Sequence, residues 1–342
     1  LCSNEESKSY NNFTLIGLNA SDVDNTLGLV RRTLGEVSLG LSVVRYLIFK
    51  KQDVLLISCP SYIASLILYL FSRFSGTKYI VDLRDIYPEV YVQASLINKN
   101  SISFKMFRWL SRKMYSNAEL VLCATKGLKD EVNLQVPTAK TKLFYNGFPE
   151  EFIKRNATKH NSFTLCFHGV LGFFQDIETV IAIAELLVDK NVNIIIIGYG
   201  RKEYLFRNDI PRNLTFLGKL NFADTIHEVE KCHLGLCLRL DDQVSKNSFP
   251  VKVWEYLGLG IPTIVTPPSE AGDFILEHQC GFCVNSGDIT QIVELIIEMK
   301  ENHEKLMALS MNCRIVAQDY SREMNSRVAA ENILTVLDGC GL

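Results

Sequence analysis

The sequence predicts an α/β protein with two domains in tandem, each built on a parallel sheet. Three observations carry this. Short apolar runs without alternation recur along the chain, from VLLIS at 54–58 to GFCV at 281–284; such runs are strands buried on both faces. Stretches of helical length separate them, which is the strand–helix alternation of a parallel sheet with helices on both sides. The chain has 342 residues, 47% of them hydrophobic and 22% charged. That is long for a single core and suits two domains of about 150 residues.

Taken in order, 13–18 is the one strand expected before residue 53, so a doubly wound domain's opening strand, glycine turn and helix are not found there. VLLIS (54–58) is then a strand, 61–74 a helix, KYIVDL (78–83) a strand, 102–116 a helix and ELVLCA (119–124) a strand. After KLFYNGF (142–148) the chain turns polar, and PEEFIKRNATKHNS (149–162) is the expected linker. The pattern restarts with FTLCFHG (163–169), a helix from about Ile177, NIIIIGYG (193–200), LTFLG (214–218), HLGLCL (233–238), PTIVT (262–266) and GFCV (281–284). The stretch 289–338 reads as helical with breaks near Glu301 and Asp319. The expected division is 1–155 and 156–320, followed by a terminal helix over 321–342.

Net charge is −2, which gives no electrostatic case for nucleic acid. The longest apolar stretch, 62–71, is half the roughly 20 residues that a spanning helix needs. Leu1 to Tyr10 is polar and lacks the apolar core of a signal peptide. Of the ten cysteines, those inside apolar runs, such as Cys59, Cys123, Cys166 and Cys237, read as buried thiols and suit a reducing compartment. A cytoplasmic location is therefore expected. Cys280 and Cys283 form a CxxC with only His278 nearby; a zinc site needs more ligands, and the plainer reading is a turn at Gly281 into a strand.

Ligands of open parallel sheets sit at the carboxyl ends of strands. In the second domain those loops hold His168, Gly169 and Gly172; Gly198, Tyr199 and Gly200; Arg239 with Asp241 and Asp242; and SFPVKVWEYLGLGIP (248–262). Glycines let backbone N–H groups approach a phosphate, and lysine supplies a point charge. Lys252 and Glu255 share one helical face, and a carboxylate suits ribose hydroxyls. This reaches a nucleotide or phosphorylated ligand; an i, i+3 ion pair on a surface helix is the competing account. GYG lacks the later glycine of a dinucleotide fingerprint, which argues against NAD.

The segment 248–265 resembles the donor-site signature of family 4 glycosyltransferases, a Pro-x-Lys followed by Glu-Tyr and Gly-x-Pro. In order along the chain, HGVLGFFQDIETV (168–180), IIIIGYGRKEYL (194–205), NLTFLGKL (213–220) and PPSEAGDFI (267–275) resemble other parts of that family. VDLRDIYPE (81–89) is similar to the Arg-Asp-x-x-Pro-Glu element of its bacterial cell-surface polysaccharide subgroup, and YNGF (145–148) resembles the Asn-Gly closing the first domain. The likeness covers about 53–340. It implies a GT-B fold, two facing Rossmann-like domains with a cleft between them, the terminal helix packing back on the first. It also implies retaining sugar transfer from a nucleoside-diphosphate sugar, with a lean to UDP, to a glycan or lipid-linked acceptor in O-antigen or capsule synthesis.

By the same resemblance Lys252 contacts the pyrophosphate, Glu255 the ribose, and Gly169, Gly172, Gly198 and Arg239 complete the donor site. Lys252, Glu270 and Asp85 are the expected catalytic residues, and Arg84 and Glu89 lie on the acceptor side. No metal and no cofactor is expected. Three departures stand out: Asn247 where the family often has Glu, Gln175 where it often has Lys, and the missing N-terminal glycine loop. The other readings are a truncated inactive homologue, a sugar-nucleotide binding protein, or a nucleotide-sugar epimerase of GT-B type. Asp22-x-Asp24 and Asp241-Asp242 are weak metal candidates and read as solvated loop pairs. FKMFRWLSRKMY (104–115) sets Lys105, Arg108, Arg112 and Lys113 among aromatic and apolar residues. That suits either an anionic membrane surface, peripheral on the inner membrane, or a solvated helix face. The Asn-x-Ser/Thr triplets at Asn12, Asn19, Asn156 and Asn213 are read as chance.

Overall fold

A computed structural model describes residues 29–338 except Lys51, 94–95 and Asn208, together with four two-residue strand pieces near the start. These pieces are β1 (Cys2–Ser3), β2 (Lys8–Ser9), β3 (Thr14–Leu15) and β4 (Gly17–Leu18). Asp22, Asp24, Asn12 and Asn19 lie outside the described residues. The chain divides into two compact units, residues 1–144 with 329–342, and residues 145–328.

The first unit holds a parallel sheet of β5 (Val54–Ser58), β6 (Lys78–Leu83), β7 (Leu120–Cys123) and β8 (Thr141–Leu143), in that spatial order. Every residue of β7 is buried, as expected of a strand covered on both faces. Around the sheet run α1 (Leu29–Ile48), α2 (Tyr62–Ser75), α3 (Glu89–Gln93), α4 (Ile102–Asn117) and α5 (Lys126–Gln135). The long helix α1 lies in the stretch before residue 53, where the sequence reading expected one strand at 13–18 and found no helix. Its apolar positions are interrupted by Gly35 and Gly40, which hides the helical period. Gly40 is where α1 meets α2: a Cβ there would lie 2.9 Å from Ile67 Cδ1. The buried Glu36 of α1 also accepts from the Ile63 amide at 2.8 Å. Ser61, at the N-cap of α2, makes no side-chain cap bond, so a neighbouring helix satisfies that amide.

The second unit carries six parallel strands: β9 (Phe163–Val170), β10 (Val192–Tyr199), β11 (Leu214–Phe216), β12 (Leu234–Cys237), β13 (Thr263–Val265) and β14 (Gly281–Cys283). Their spatial order is β11-β10-β9-β12-β13-β14. Numbered within the unit this is 3-2-1-4-5-6, the doubly wound order whose direction reverses between the first and fourth strands. The helices are α6 (Ile177–Leu186), α7 (Phe222–Val229), α8 (Gln243–Lys246), α9 (Val251–Gly258), α10 (Glu270–Glu277), α11 (Ile289–Glu301), α12 (His303–Ala317) and α13 (Arg322–Asp338).

The division at 144/145 precedes the polar linker that placed it near 155. Phe148 and Phe152 are buried in the second unit's core with Trp254 and Tyr256. The polar letters of 149–162 conceal this, because two aromatic anchors outweigh their neighbours. At the other end the change of unit comes within α13, not at its start: from Ala329 onward the chain belongs to the first unit. There Ala329, Ile333 and Val336 pack with Ile80, Leu120 and Leu122. Cys280 and Cys283 bracket Gly281 at φ +150° at the head of β14, and the cysteines described are all free thiols. Asp242 accepts from the Ser245 amide at 2.8 Å and so caps α8, while Asp241 pairs with Lys246. No helix among the described residues is long and apolar enough to cross a membrane.

Candidate active site in the second unit

The strand order reverses between β9 and β12, and this opens a crevice at their carboxyl ends. His168 and Gly169 end β9, and Arg239 follows β12. Glycine is demanded here by contact. A Cβ on Gly198 would sit 2.0 Å from the Gly169 carbonyl oxygen. Gly169 itself has φ +120°, a conformation that side chains rarely adopt. The loop that follows folds back over β12: Asp176 donates to Leu238 O at 3.1 Å, and Leu240 donates to Phe174 O at 3.1 Å. Gln175 and Arg239 are thereby bridged, and Asp176 caps α6 through the Thr179 amide.

Helix α9 begins after Pro250, and Lys252 through Gly258 are all buried. Lys252 Nζ lies 3.0 Å from Gln175 Oε1 and 3.6 Å from the centre of the Phe167 ring. It forms no ion pair among the described residues. Burial without a counter-charge pulls its pKa down to about 8, with Arg239 adding to the fall. One turn on, Glu255 Oε2 is 2.7 Å from His168 Nε2. The other ring nitrogen of His168 is 3.0 Å from the Tyr256 hydroxyl, which also lies 2.8 Å from Cys166 O. Burial lowers the pKa of His168, against the pull of Glu255. Arg239 is buried and pushed below its ordinary range by desolvation. One of its terminal nitrogens meets Ser248 Oγ, while Nε is buried with no hydrogen-bond partner.

These groups border a cavity of about 580 Å3. A Cβ built on Gly169 would stand 3.8 Å from Lys252 Nζ, so bare backbone and a desolvated ammonium face the same space. Tyr199, Lys219, Phe222 and Thr225 also border the cavity, with Lys219 Nζ 4.7 Å over the Tyr199 ring. Residues 149–315 match the family model described as glycosyl transferases group 1. This stretch is similar to group 1 glycosyl transferases. A curated relative, the probable glycosyltransferase WbjE of Pseudomonas aeruginosa, is 22% identical over 245 residues, covering 66% of this chain and 60% of WbjE. The chain therefore spans about three fifths of that relative's length. Among solved structures, Anabaena HepE in complex with UDP aligns with TM-score 0.68 at 15% identity, covering 89% of this chain and 84% of that one. WaaG, a glycosyltransferase involved in lipopolysaccharide biosynthesis, aligns with TM-score 0.62 at 12% identity, covering 95% and 88%. The fold is GT-B.

Within the matched stretch, Gly169, Gly198, Arg239, Lys252 and Glu255 come together around one cavity. Gly172 sits in the loop after β9, with open space beyond Val170. Glu270 opens α10, does not border the cavity, and accepts from Tyr145 Oη at 2.9 Å. Arg84, Asp85 and Glu89 lie in the first unit. Arg84 pairs with Asp82 at 2.8 Å and stacks on Phe144, while Glu89 is 3.5 Å from Arg108 and its carboxyl is raised by burial. The sequence reading assigned no part to Tyr256, nor to His168 beyond its loop. The signal was the adjacency of His to Gly169 and of Tyr to Glu255. Among the described residues no group of three or more His, Cys, Asp or Glu is placed to hold a metal ion.

Proposed function

We propose that this chain is a glycosyltransferase that moves a sugar from a nucleoside-diphosphate sugar, uridine-linked, to a glycan or lipid-linked acceptor, with retention, in cell-surface polysaccharide synthesis. One observation carries the reading: Lys252 keeps a desolvated ammonium with no ion pair among the described residues beside the bare backbone of Gly169 at the switch point of the sheet. Burying a cation without a partner is costly unless an anionic ligand completes it. A diphosphate is that anion. As the bond from the anomeric carbon to the diphosphate breaks, the leaving oxygen takes the electron pair. Lys252, Arg239 and the Gly169 backbone stabilise the growing charge. The acceptor hydroxyl oxygen bonds to the carbon and releases its proton to the departing phosphate.

Glu255 takes the ribose, and Glu270 and Asp85 act nearer the transferred sugar, with Arg84 and Glu89 toward the acceptor. The uridine preference draws on the UDP named with HepE. For a lipid-linked acceptor, α4 offers an anionic-surface contact: Lys105 and Lys113 are exposed beside Ile102, Met106 and Trp109. The test is thermal shift against UDP-, GDP- and dTDP-sugars, with EDTA present throughout. A ligand at 100 times its dissociation constant adds about 2.7 kcal/mol. A UDP-sugar shift that disappears in Lys252→Ala is expected; no shift with any of the three refutes the donor site.

A further inference from the structure

We propose that His168 is a positioning residue of this site: clamped between Tyr256 and Glu255, it fixes one oxygen of the Glu255 carboxylate and leaves the other for the ribose diol of the donor. The inference rests on the donor-site reading above and assigns a part to a residue outside it.

The imidazole is held at both nitrogens. Nδ1 is 3.0 Å from Tyr256 Oη, and Nε2 is 2.7 Å from Glu255 Oε2. The Tyr256 hydroxyl also lies 2.8 Å from Cys166 O; its single proton goes to Nδ1 when Nε2 carries the N–H that faces Glu255. The His168 ring stands edge-on to that of Tyr256, with centroids 4.8 Å apart and planes at 88°. It is 4% exposed, so it cannot turn without breaking both contacts. The 2.7 Å separation is that of a charge-assisted hydrogen bond.

Glu255 has no other hydrogen-bond partner among the described residues. A glutamate side chain has many rotamers, and the bond to His168 selects those that place Oε2 against Nε2. Holding such a side chain in its bound geometry beforehand is worth about three- to tenfold in affinity. A histidine that only filled the core would not explain this arrangement. Burying an imidazole against a carboxylate is costly, and an apolar pair of similar volume avoids that cost. The contact is also made at the cavity wall, to a residue on the same helical face as Lys252.

The test uses the full chain, UDP as probe, and isothermal titration. His168→Asn withdraws the group at the Nε2 position, whereas His168→Gln places an amide N–H there. We expect His168→Asn to weaken UDP binding about tenfold and His168→Gln to stay within threefold of wild type. In a Glu255→Gln background, His168→Asn should add nothing. Equal loss in the Asn and Gln variants, or an undiminished effect of His168→Asn beside Glu255→Gln, overturns the proposal. If Glu255→Gln weakens UDP while His168→Asn does not, the positioning role fails and the donor site stands. If wild type does not bind UDP, or Glu255→Gln leaves binding unchanged, the underlying reading fails first and this one with it. Tyr256→Phe removes the far anchor and keeps the aromatic ring, so it serves if Asn at 168 prevents folding. About threefold weaker UDP binding is expected there, and none overturns the proposal.

Discussion

Replacing Lys252 with Met should make the second unit more stable while removing its affinity for the donor. The pKa of this lysine falls from 10.5 to about 8 on folding, chiefly through burial. At 1.36 kcal/mol per unit the buried charge costs about 3 kcal/mol at pH 7, where the amine is protonated in both the folded and the unfolded chain. Met keeps the stem against Phe167 and discards the charge; losing the bond to Gln175 returns part of the gain, leaving about 2 kcal/mol. The dependence on pH has a definite sign. Between pH 8 and 10.5 the unfolded chain holds a proton that the folded chain has released, so wild type gains on the variant as pH rises. The burial cost is full below pH 8 and falls to about 1 kcal/mol by pH 10, so the gap of about 2 kcal/mol closes by pH 10. Urea denaturation at pH 7 and pH 10 measures it. The chain has two tryptophans, so a Trp109→Phe background leaves Trp254, buried in the second unit's core, as the reporter. A variant less stable than wild type at pH 7, or a gap unchanged at pH 10, would refute the reasoning.

Donor affinity should be level below pH 8 and fall about tenfold per unit above it, because the anion binds the protonated lysine whose pKa is about 8; calorimetry at pH 7 and pH 9 reads this, and a flat profile removes Lys252 from the phosphate. Gly198→Ala would set a methyl 2.0 Å from the Gly169 carbonyl oxygen and should cost about 3 kcal/mol, seen as a lower urea midpoint for the second unit; an unchanged midpoint would show that β9 and β10 can part there at no cost. Lys105→Gln with Lys113→Gln should weaken sedimentation with phosphatidylglycerol vesicles by about 1 kcal/mol per charge. Arg108 and Arg112 are left alone because the first faces Glu89 and the second donates to Gln135 O. Equal sedimentation would leave α4 a solvated face.

Much of the second unit was legible because its strands are unbroken apolar runs ending in glycine, as at 163–169 and 193–200. Burial on both faces leaves no alternative pattern there. The grouping of Gly169, Gly198, Arg239 and Lys252 followed from placing each at a strand's carboxyl end. What could not be read depends on contacts distant in sequence. Glu36 satisfies an amide of another helix, and no local motif announces that. Phe148 and Phe152 sit among charged residues, so composition marked a linker where packing makes a core. Glu255 meets His168 from 87 residues away in the chain, and the i, i+3 spacing from Lys252 suggested an ion pair that the structure does not form.

Helix α9 is buried from Lys252 to Gly258 apart from the cavity that Lys252 and Glu255 border, and this separates the site into parts with different freedom to vary. The bulk of Phe148 already fills the space where a side chain on Gly258 would go, at 2.4 Å. A change of side-chain volume at 255 or 256 therefore disturbs the packing of the unit along with the ligand. Tyr199 and Lys219, which also border the cavity, are exposed and contact each other outside the core. Selection acting on ligand preference can change those positions one at a time, without a stability cost spread through the core. Chains that diverge from this one in specificity are expected to keep the inner wall and differ at the rim.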